Sequence, residues 1–302
     1  MNKVFCLFLL LFTSIAVNSK EIAITFDDAP LPDSNLYSGE QRTQKLITAL
    51  KKLNVPDVFF FITTNNITNK TQKRVEAYAE AGFYLGNHSH QHLFPHQKGI
   101  ETYLQGITEA HKQLSHFDNL VPFYRYPYLD EGKDKKTRDR IRQHLQELNY
   151  NNGYVTVDNF DWYMDALLQK ALADGNKINY EALKSAYIDI LWGSILFYDE
   201  LAQKSIGRSP KHILLLHEND IAALFVGDLI EHIRMQGWKV ISPKDAYEDP
   251  IAINVPDVLF NGQGRVAAIA KSKGWDEKYL RNQGSNKAYL DKYFDAKNVF
   301  EK

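Results

Sequence analysis

The chain has almost no cysteine. Its one thiol, Cys6, lies in an apolar opening stretch. Once that stretch is removed there is no disulfide, no thiolate metal site and no cysteine nucleophile, and stability must come from packing. Net charge is nearly absent too: 36 basic against 37 acidic side chains leave −1 at pH 7. That balance gives no reason to expect nucleic acid or another polyanion as partner. No repeat and no low-complexity segment is present. Long apolar runs are missing beyond the first twenty residues. There Lys3 precedes VFCLFLLLFTSIAV and then NSK, the order of a secretory signal peptide over residues 1–19, cleaved after Ser19. The run is short for a membrane span, and an uncleaved anchor is the other reading. Cys6 sits early within the run, not after it, which argues against a lipid-attached cysteine. The expectation is a secreted protein, periplasmic or extracellular, with no membrane contact after cleavage and no separate module ahead of its first strand.

What is present is the material of a core. Of 302 residues, 44% are hydrophobic and 13% aromatic, which excludes global disorder. IAITF (22–26), VFFFI (58–62), FYRYPY (123–128), GYVTVDNFDW (153–162), HILLLHEND (212–220) and WKVIS (238–242) read as strands or strand ends. RTQKLITALKKL (42–53), with Leu46, Leu50 and Leu53 on one side, and TQKRVEAYAEAG (71–82), stopped at Gly82, read as helices between them. Apolar strands separated by helices indicate an α/β fold with a parallel sheet or barrel.

Between 163 and 211 the pattern turns helical. Leu183, Tyr187, Ile190, Ser194, Phe197 and Leu201 fall at steps of three and four, a stripe of core rather than of ligands. KDKKTRDRIR (133–142) mixes six cations with two aspartates and reads as a solvated helix face. Residues 251–302 hold further weak helices, read as a packed extension or a small cap. Tyr289, Tyr293 and Phe294 share a face there, for packing on the main domain or for a lid over substrate.

In parallel α/β architectures functional groups collect where strands end. Asp27 and Asp28 end the first strand; His88, Ser89, His90 and His92 follow Gly86; Arg125-Tyr126-Pro127-Tyr128, then Asp158, Asp161 and Trp162, and finally His217 complete the set. His88 and His92 are four apart, which on one helical turn points them the same way. Two imidazoles and a carboxylate are a common ligand set for a catalytic ion with a position left open for water. The spacing alone also suits two ordinary histidines, and the paired aspartates alone also suit a turn or helix cap. A cation beside Asp27 and Asp28 would relieve the like-charge repulsion of two adjacent carboxylates.

Taken in order, TFDD, HSHQH, RYPY, DNFDW and LLLH resemble the motifs of the polysaccharide deacetylases of carbohydrate esterase family four, over residues 21 to about 247. AEAGFYLGNHS and VFFFI are similar to that family between its motifs. The resemblance implies an irregular (β/α) barrel with 163–211 as a helical insertion. It implies one divalent metal ion, zinc, cobalt or nickel, on Asp28, His88 and His92. Asp27 would be the general base, with Arg125 holding it ionised. Tyr128 would offer its backbone N–H to the oxyanion, and Trp162 and Leu215 would flank the acetyl methyl. His217 would be the general acid, tuned by Asp161; Asp158 stands beside the set without an assigned role. The implied reaction is removal of N-acetyl groups from an acetylated glycan partner of the N-acetylglucosamine type. Rival expectations are O-acetyl ester or small-amide hydrolysis on the same fold, or a glycan-binding protein with a dead site.

Two positions depart from the family pattern. Where it usually has glycine after the aspartates, this chain has Ala29 and then Pro30; where it often has glycine after the tyrosine, it has Leu129. Both lie in loops around the site and bear on substrate shape. His90, between the two ligand histidines, is expected to point away from them.

Overall fold

The computed structural model describes residues 19–301. The expected signal peptide therefore lies, apart from Ser19, outside the described residues. In chain order the regular elements begin with β1 (Glu21–Ala29), α1 (Gly39–Lys52), β2 (Phe59–Ile62), α2 (Gln72–Glu80), β3 (Tyr84–Asn87) and α3 (Ile100–Leu114). β4 (Leu120–Tyr124), α4 (Lys135–Glu147), β5 (Asn151–Asn152), α5 (Asp161–Ala173), β6 (Lys177–Ile178) and α6 (Tyr180–Ile206) follow. The rest is β7 (His212–His217), α7 (Asp220–Met235), β8 (Lys239–Val240), α8 (Pro243–Tyr247), α9 (Gly264–Ser272), α10 (Lys287–Ala296) and β9 (Phe300–Glu301).

The main sheet runs β5-β4-β3-β2-β1-β7, every pairing parallel, with β8 joined to the start of β1. It curls until its ends meet. Val157, just past β5, bridges Leu214 of β7, and the N–H groups of Thr156 and Val157 both donate to the Ile213 carbonyl at 3.1 Å. The result is the expected α/β fold, an irregular barrel of parallel strands wrapped in helices. Strand alternation sorts the aromatics of β2 onto two faces. Phe60 faces outward, stacked on Phe26 and on Tyr78 of α2, whereas Phe59 and Phe61 pack inward with Phe123, Tyr247 and Arg125. All three rings are fully buried, each contributing about 1.5–3 kcal/mol relative to exposure. Gly86 on β3 is what lets the Phe61 ring in: a Cβ there would lie 2.5 Å from it.

Two local expectations are corrected. GYVTVDNFDW is not a regular strand. Only Asn151 and Asn152 pair with β4, and Val157 makes one isolated bridge; between them Gly153 bonds back to Tyr124, Thr156 to Ile213, and Val155 to the C-terminal segment. There Arg265 N–H donates to the Val155 carbonyl at 2.7 Å. Gly264, at φ 79°, allows that approach, since a Cβ would lie 2.7 Å from the same carbonyl. Nor do His88 and His92 share a helical turn: no helix intervenes between β3 and α3, and the pair sits in a loop.

The helical stripe behaves as read. Leu183, Tyr187, Ile190, Ser194 and Leu201 are buried in α6, which packs on α7 and α9. Phe294 is buried, and Tyr293 donates its hydroxyl to Asp189 of α6 at 2.9 Å, so these tail aromatics pack on the insertion. Among the described residues no helix is long and apolar enough to cross a membrane.

Candidate active site

Because the strands are parallel, their C-terminal ends share one edge, and Asp27, Asp28, His88, Arg125 and His217 all emerge there. All but the buried Arg125 line a cavity of about 550 Å³. Side-chain-to-backbone bonds shape the loop that carries the histidines. Asn87 Oδ1 accepts from Ser89 N–H at 2.8 Å, and Ser89 Oγ accepts from His92 N–H at 3.0 Å. Such local bonds outcompete a helix. They fold His92 back over His88, their rings 4.8 Å apart. His90 is turned away and meets Thr64 Oγ1 at 2.9 Å.

Asp28 Oδ1 lies 3.4 Å from His88 Nε2 and 3.2 Å from His92 Nε2. One donor atom from each of the three residues falls within 4.8 Å of the others. The set fits a divalent ion in protonation as well as in placement. His88 Nδ1 donates to the Arg125 carbonyl at 2.8 Å, which leaves the Nε2 lone pair facing Asp28. Burial disfavours charge on Asp28, but its hydrogen bond to His88 and the nearby imidazoles of His92 and His217 hold its carboxyl well below the usual carboxylate range. Burial lowers His92 to about 4 against the pull of Asp28, so this imidazole is neutral at neutral pH, as a ligand must be.

On one side of this cluster stands Asp27. Its Oδ2 is 3.8 Å from His88 Nε2, and its Oδ1 accepts from the Arg125 guanidinium at 2.7 Å. Arg125 is wholly buried. It also donates to the Gly153 carbonyl, to Thr25 Oγ1 at 3.2 Å and to the Tyr247 hydroxyl at 3.4 Å, and lies 4.2 Å over the Phe61 ring. Burial opposes its charge, but Asp27 outweighs this and raises its pKa further.

His217 also approaches the cluster, its Nε2 4.0 Å from Asp28 Oδ2. Its Nδ1 bonds Asp161 Oδ1 at 2.7 Å, while its backbone N–H donates to Asp161 Oδ2 at 2.8 Å. Asp161 is the first residue of α5, where the helix dipole favours an anion. Asn159 fixes that helix start by accepting from Asp161 N–H at 2.9 Å and donating to the Leu215 carbonyl at 2.6 Å. Burial would lower the His217 pKa; Asp161, then Asp28 and Asp27, override it and raise it to about 10.

Trp162, Leu215 and Tyr128 line the cavity with Asp158. The Tyr128 ring stacks on Phe94 at 3.6 Å and meets the edge of His92 at 4.5 Å. The neighbouring Leu129 and Asp130 N–H groups bond Tyr126 and Pro127 carbonyls, while that of Tyr128 has no partner among the described residues. The backbone is strained here. Of eight non-glycine residues at positive φ among the described residues, Asp28, His92, Tyr128 and Leu129 line the cavity and Ser89 sits in the histidine loop; the other three are asparagines, which tolerate that conformation. Each strained residue costs on the order of 1–3 kcal/mol, typical of sites where the fold forces a geometry. Leu129, at φ 51°, stands where the family pattern often has glycine.

Sequence reasoning missed the far wall. Gly262 and Arg281, from the C-terminal segment, line the same cavity. Thr25 and Tyr247, which brace Arg125, were also missed. Thr25 could have been found as the inward neighbour of Asp27 by strand alternation; the others carry no local signal.

Comparison with known proteins bears on this arrangement. Residues 14–153 match the family model for polysaccharide deacetylase. The matched stretch, just under half of the chain, is similar to that family. The match ends at Gly153, ahead of DNFDW and LLLH, and the likeness to solved structures extends further. The chitin deacetylase of the fungal pathogen Colletotrichum lindemuthianum is similar at TM-score 0.53 and 18% identity, over 77% of this chain and 89% of that one. A peptidoglycan N-acetylglucosamine deacetylase is similar at 0.51 and 19% identity, over 76% and 88%. A carbohydrate esterase family 4 pseudoenzyme from Bacillus anthracis is similar at 0.52 and 15% identity, over 76% and 66%. At these identities the likeness is one of fold, and the polysaccharide deacetylase fold is that of family 4. No curated protein matches the chain.

Proposed function

We propose that this chain is an active, metal-dependent hydrolase that removes N-acetyl groups from an N-acetylglucosamine-type glycan. One observation carries the proposal: a carboxylate and an imidazole outside the Asp28, His88 and His92 cluster both reach it, Asp27 at 3.8 Å from His88 and His217 at 4.0 Å from Asp28. A divalent ion held by those three residues would polarise the acetyl carbonyl and acidify a water. Asp27, held in place by the Arg125 guanidinium, takes the proton from the attacking water. The Tyr128 N–H meets the charge that develops on the acetyl oxygen, a contribution of about 3–4 kcal/mol for a well-placed donor. Trp162 and Leu215 shape the space for the methyl group. His217, protonated through Asp161, gives its proton to the departing amine.

The pseudoenzyme among the structural relatives makes a dead glycan-binding protein the rival reading. Retention of base, ligands and acid in this chain argues against it. The test is a chelator-stripped sample, reloaded with zinc, cobalt or nickel, assayed for acetate release from N-acetylglucosamine oligomers. Stripping should remove activity and one equivalent of metal should restore it. Sugar binding without acetate release from any acetylated glycan would favour the rival. The apolar leader makes secretion part of the same proposal, checked by a mature protein that begins at Lys20.

Asp161→Asn should lower kcat by about 10²-fold, within the range general acids contribute. It should also move the alkaline limb of the pH profile to lower pH. The sign follows from geometry: His217 acts when protonated, Asp161 raises its pKa, and removing that charge lets the proton leave earlier. An alkaline limb that stayed in place would mean that His217 is not the acid.

A further inference from the structure

We infer that Asp158 and Arg281 form a clamp at the mouth of the cavity for the sugar unit adjoining the one that is deacetylated. The inference rests on the proposed reading of the site as one that handles an acetylated glycan. Both residues line the cavity, yet they reach it from unrelated parts of the chain. Asp158 lies in the loop ahead of α5; Arg281 lies between α9 and α10, beyond the barrel.

The Asp158 carboxyl is only 7% exposed. Its one side-chain partner is Gln263 Nε2, at 3.5 Å, the limit of a hydrogen bond. It has no ion pair among the described residues, although Arg281 is near enough for its charge to act on it. The Asn159 N–H also serves it, but a carboxyl so buried, with one backbone donor and one marginal side-chain donor, has acceptor capacity left for a further donor. Arg281 is exposed, and its guanidinium has neither ion pair nor hydrogen bond among the described residues. It is nonetheless fixed at its root. Leu280 beside it is fully buried, and Asn282 on its other side reaches Ser194 Oγ and the Gly193 carbonyl of α6 at 3.5 and 3.4 Å. The insertion and the extension thus act as one platform that presents Arg281 to the cavity.

An acceptor and a fork of donors that face a common space without closing on each other suit sugar hydroxyls, which donate and accept together. Trp162, 38% exposed, and Phe160 beside it add an apolar wall for the C–H face of a ring. A carboxylate or phosphate ligand fits less well, because Asp158 would repel it.

The test compares N-acetylglucosamine with its β-1,4-linked dimer and trimer, using the metal-loaded protein. kcat/KM should rise at least tenfold from monomer to dimer. Arg281→Ala and Asp158→Asn should each remove most of that gain, a loss of about tenfold in the dimer-to-monomer ratio, through KM more than kcat, the scale of a hydrogen bond to a charged group. Arg281→Lys, which keeps the charge but not the fork, should recover only part of the ratio. Arg281 is exposed, so its variants should melt as the parent does. No gain from monomer to dimer, or a ratio unchanged in both variants, would overturn the clamp. If no acetylated glycan released acetate, the functional reading would fail and calorimetric binding of the dimer would decide the clamp alone. Weaker binding to Arg281→Ala would then support it and unchanged binding would overturn it.

Discussion

Replacing Asp27 by Asn should abolish measurable acetate release while leaving one divalent ion bound per chain. The amide matches the carboxylate in volume and can still accept from Arg125, so the geometry of the strand end survives. What is lost is the proton acceptor, and general bases of this kind contribute about 10²–10⁴-fold in kcat. Asp28, not Asp27, makes the 3.2 and 3.4 Å approaches to His92 and His88, so metal content should not fall. The two aspartates are adjacent in sequence but differently surrounded: Asp27 is 2% exposed and faces a buried guanidinium, and Asp28, at φ 69°, faces two imidazoles. A pair of measurements separates their roles, kcat on an acetylated oligomer and metal stoichiometry after dialysis. Loss of metal from Asp27→Asn, with residual activity on reloading, would mean that the assignments are exchanged.

The barrel and the participants at its strand ends were legible because each rests on a short-range pattern. An apolar run that ends in charges marks a strand end in a parallel sheet, and five such ends in family order identify the edge on which a site is built. The shape of the histidine loop was not legible. A separation of four residues satisfies a helical turn, and only the Asn87 and Ser89 bonds to Ser89 and His92 N–H decide for a loop. The stretch 153–162 read as a strand, but its backbone bonds are divided among Tyr124, Ile213, Leu215 and Arg265, the last more than a hundred residues later. The stripe on α6 was read correctly as core, with Phe197 only partly buried, since residues at helical spacing predict burial whatever they pack against. Its effect on the site was invisible: α6 anchors the segment that carries Arg281, and nothing local to Arg281 or Gly262 marks either as a cavity residue.

Arg125→Met should be the most damaging single change to stability, and the way it combines with Asp27→Asn tests why. Arg125 is fully buried and spends its donors on Asp27, Gly153, Thr25 and Tyr247 while its flat face lies on Phe61. Methionine approximates the stem and supplies none of the donors. The Asp27 carboxylate is then a buried charge without a partner, a situation that costs about 3–5 kcal/mol. At the ~2–4 °C per kcal/mol expected for a domain near this size, the melting temperature should fall by about 6–20 °C. Asp27→Asn alone strands the guanidinium instead and should also destabilise. The double variant strands neither charge and should be more stable than Arg125→Met alone, because removing both members of a buried pair is far cheaper than removing one. Thermal melting of the four proteins checks this. Losses that simply added would mean that Asp27 and Arg125 are not an energetic pair, and the placement of the base would then need another source than the guanidinium 2.7 Å away.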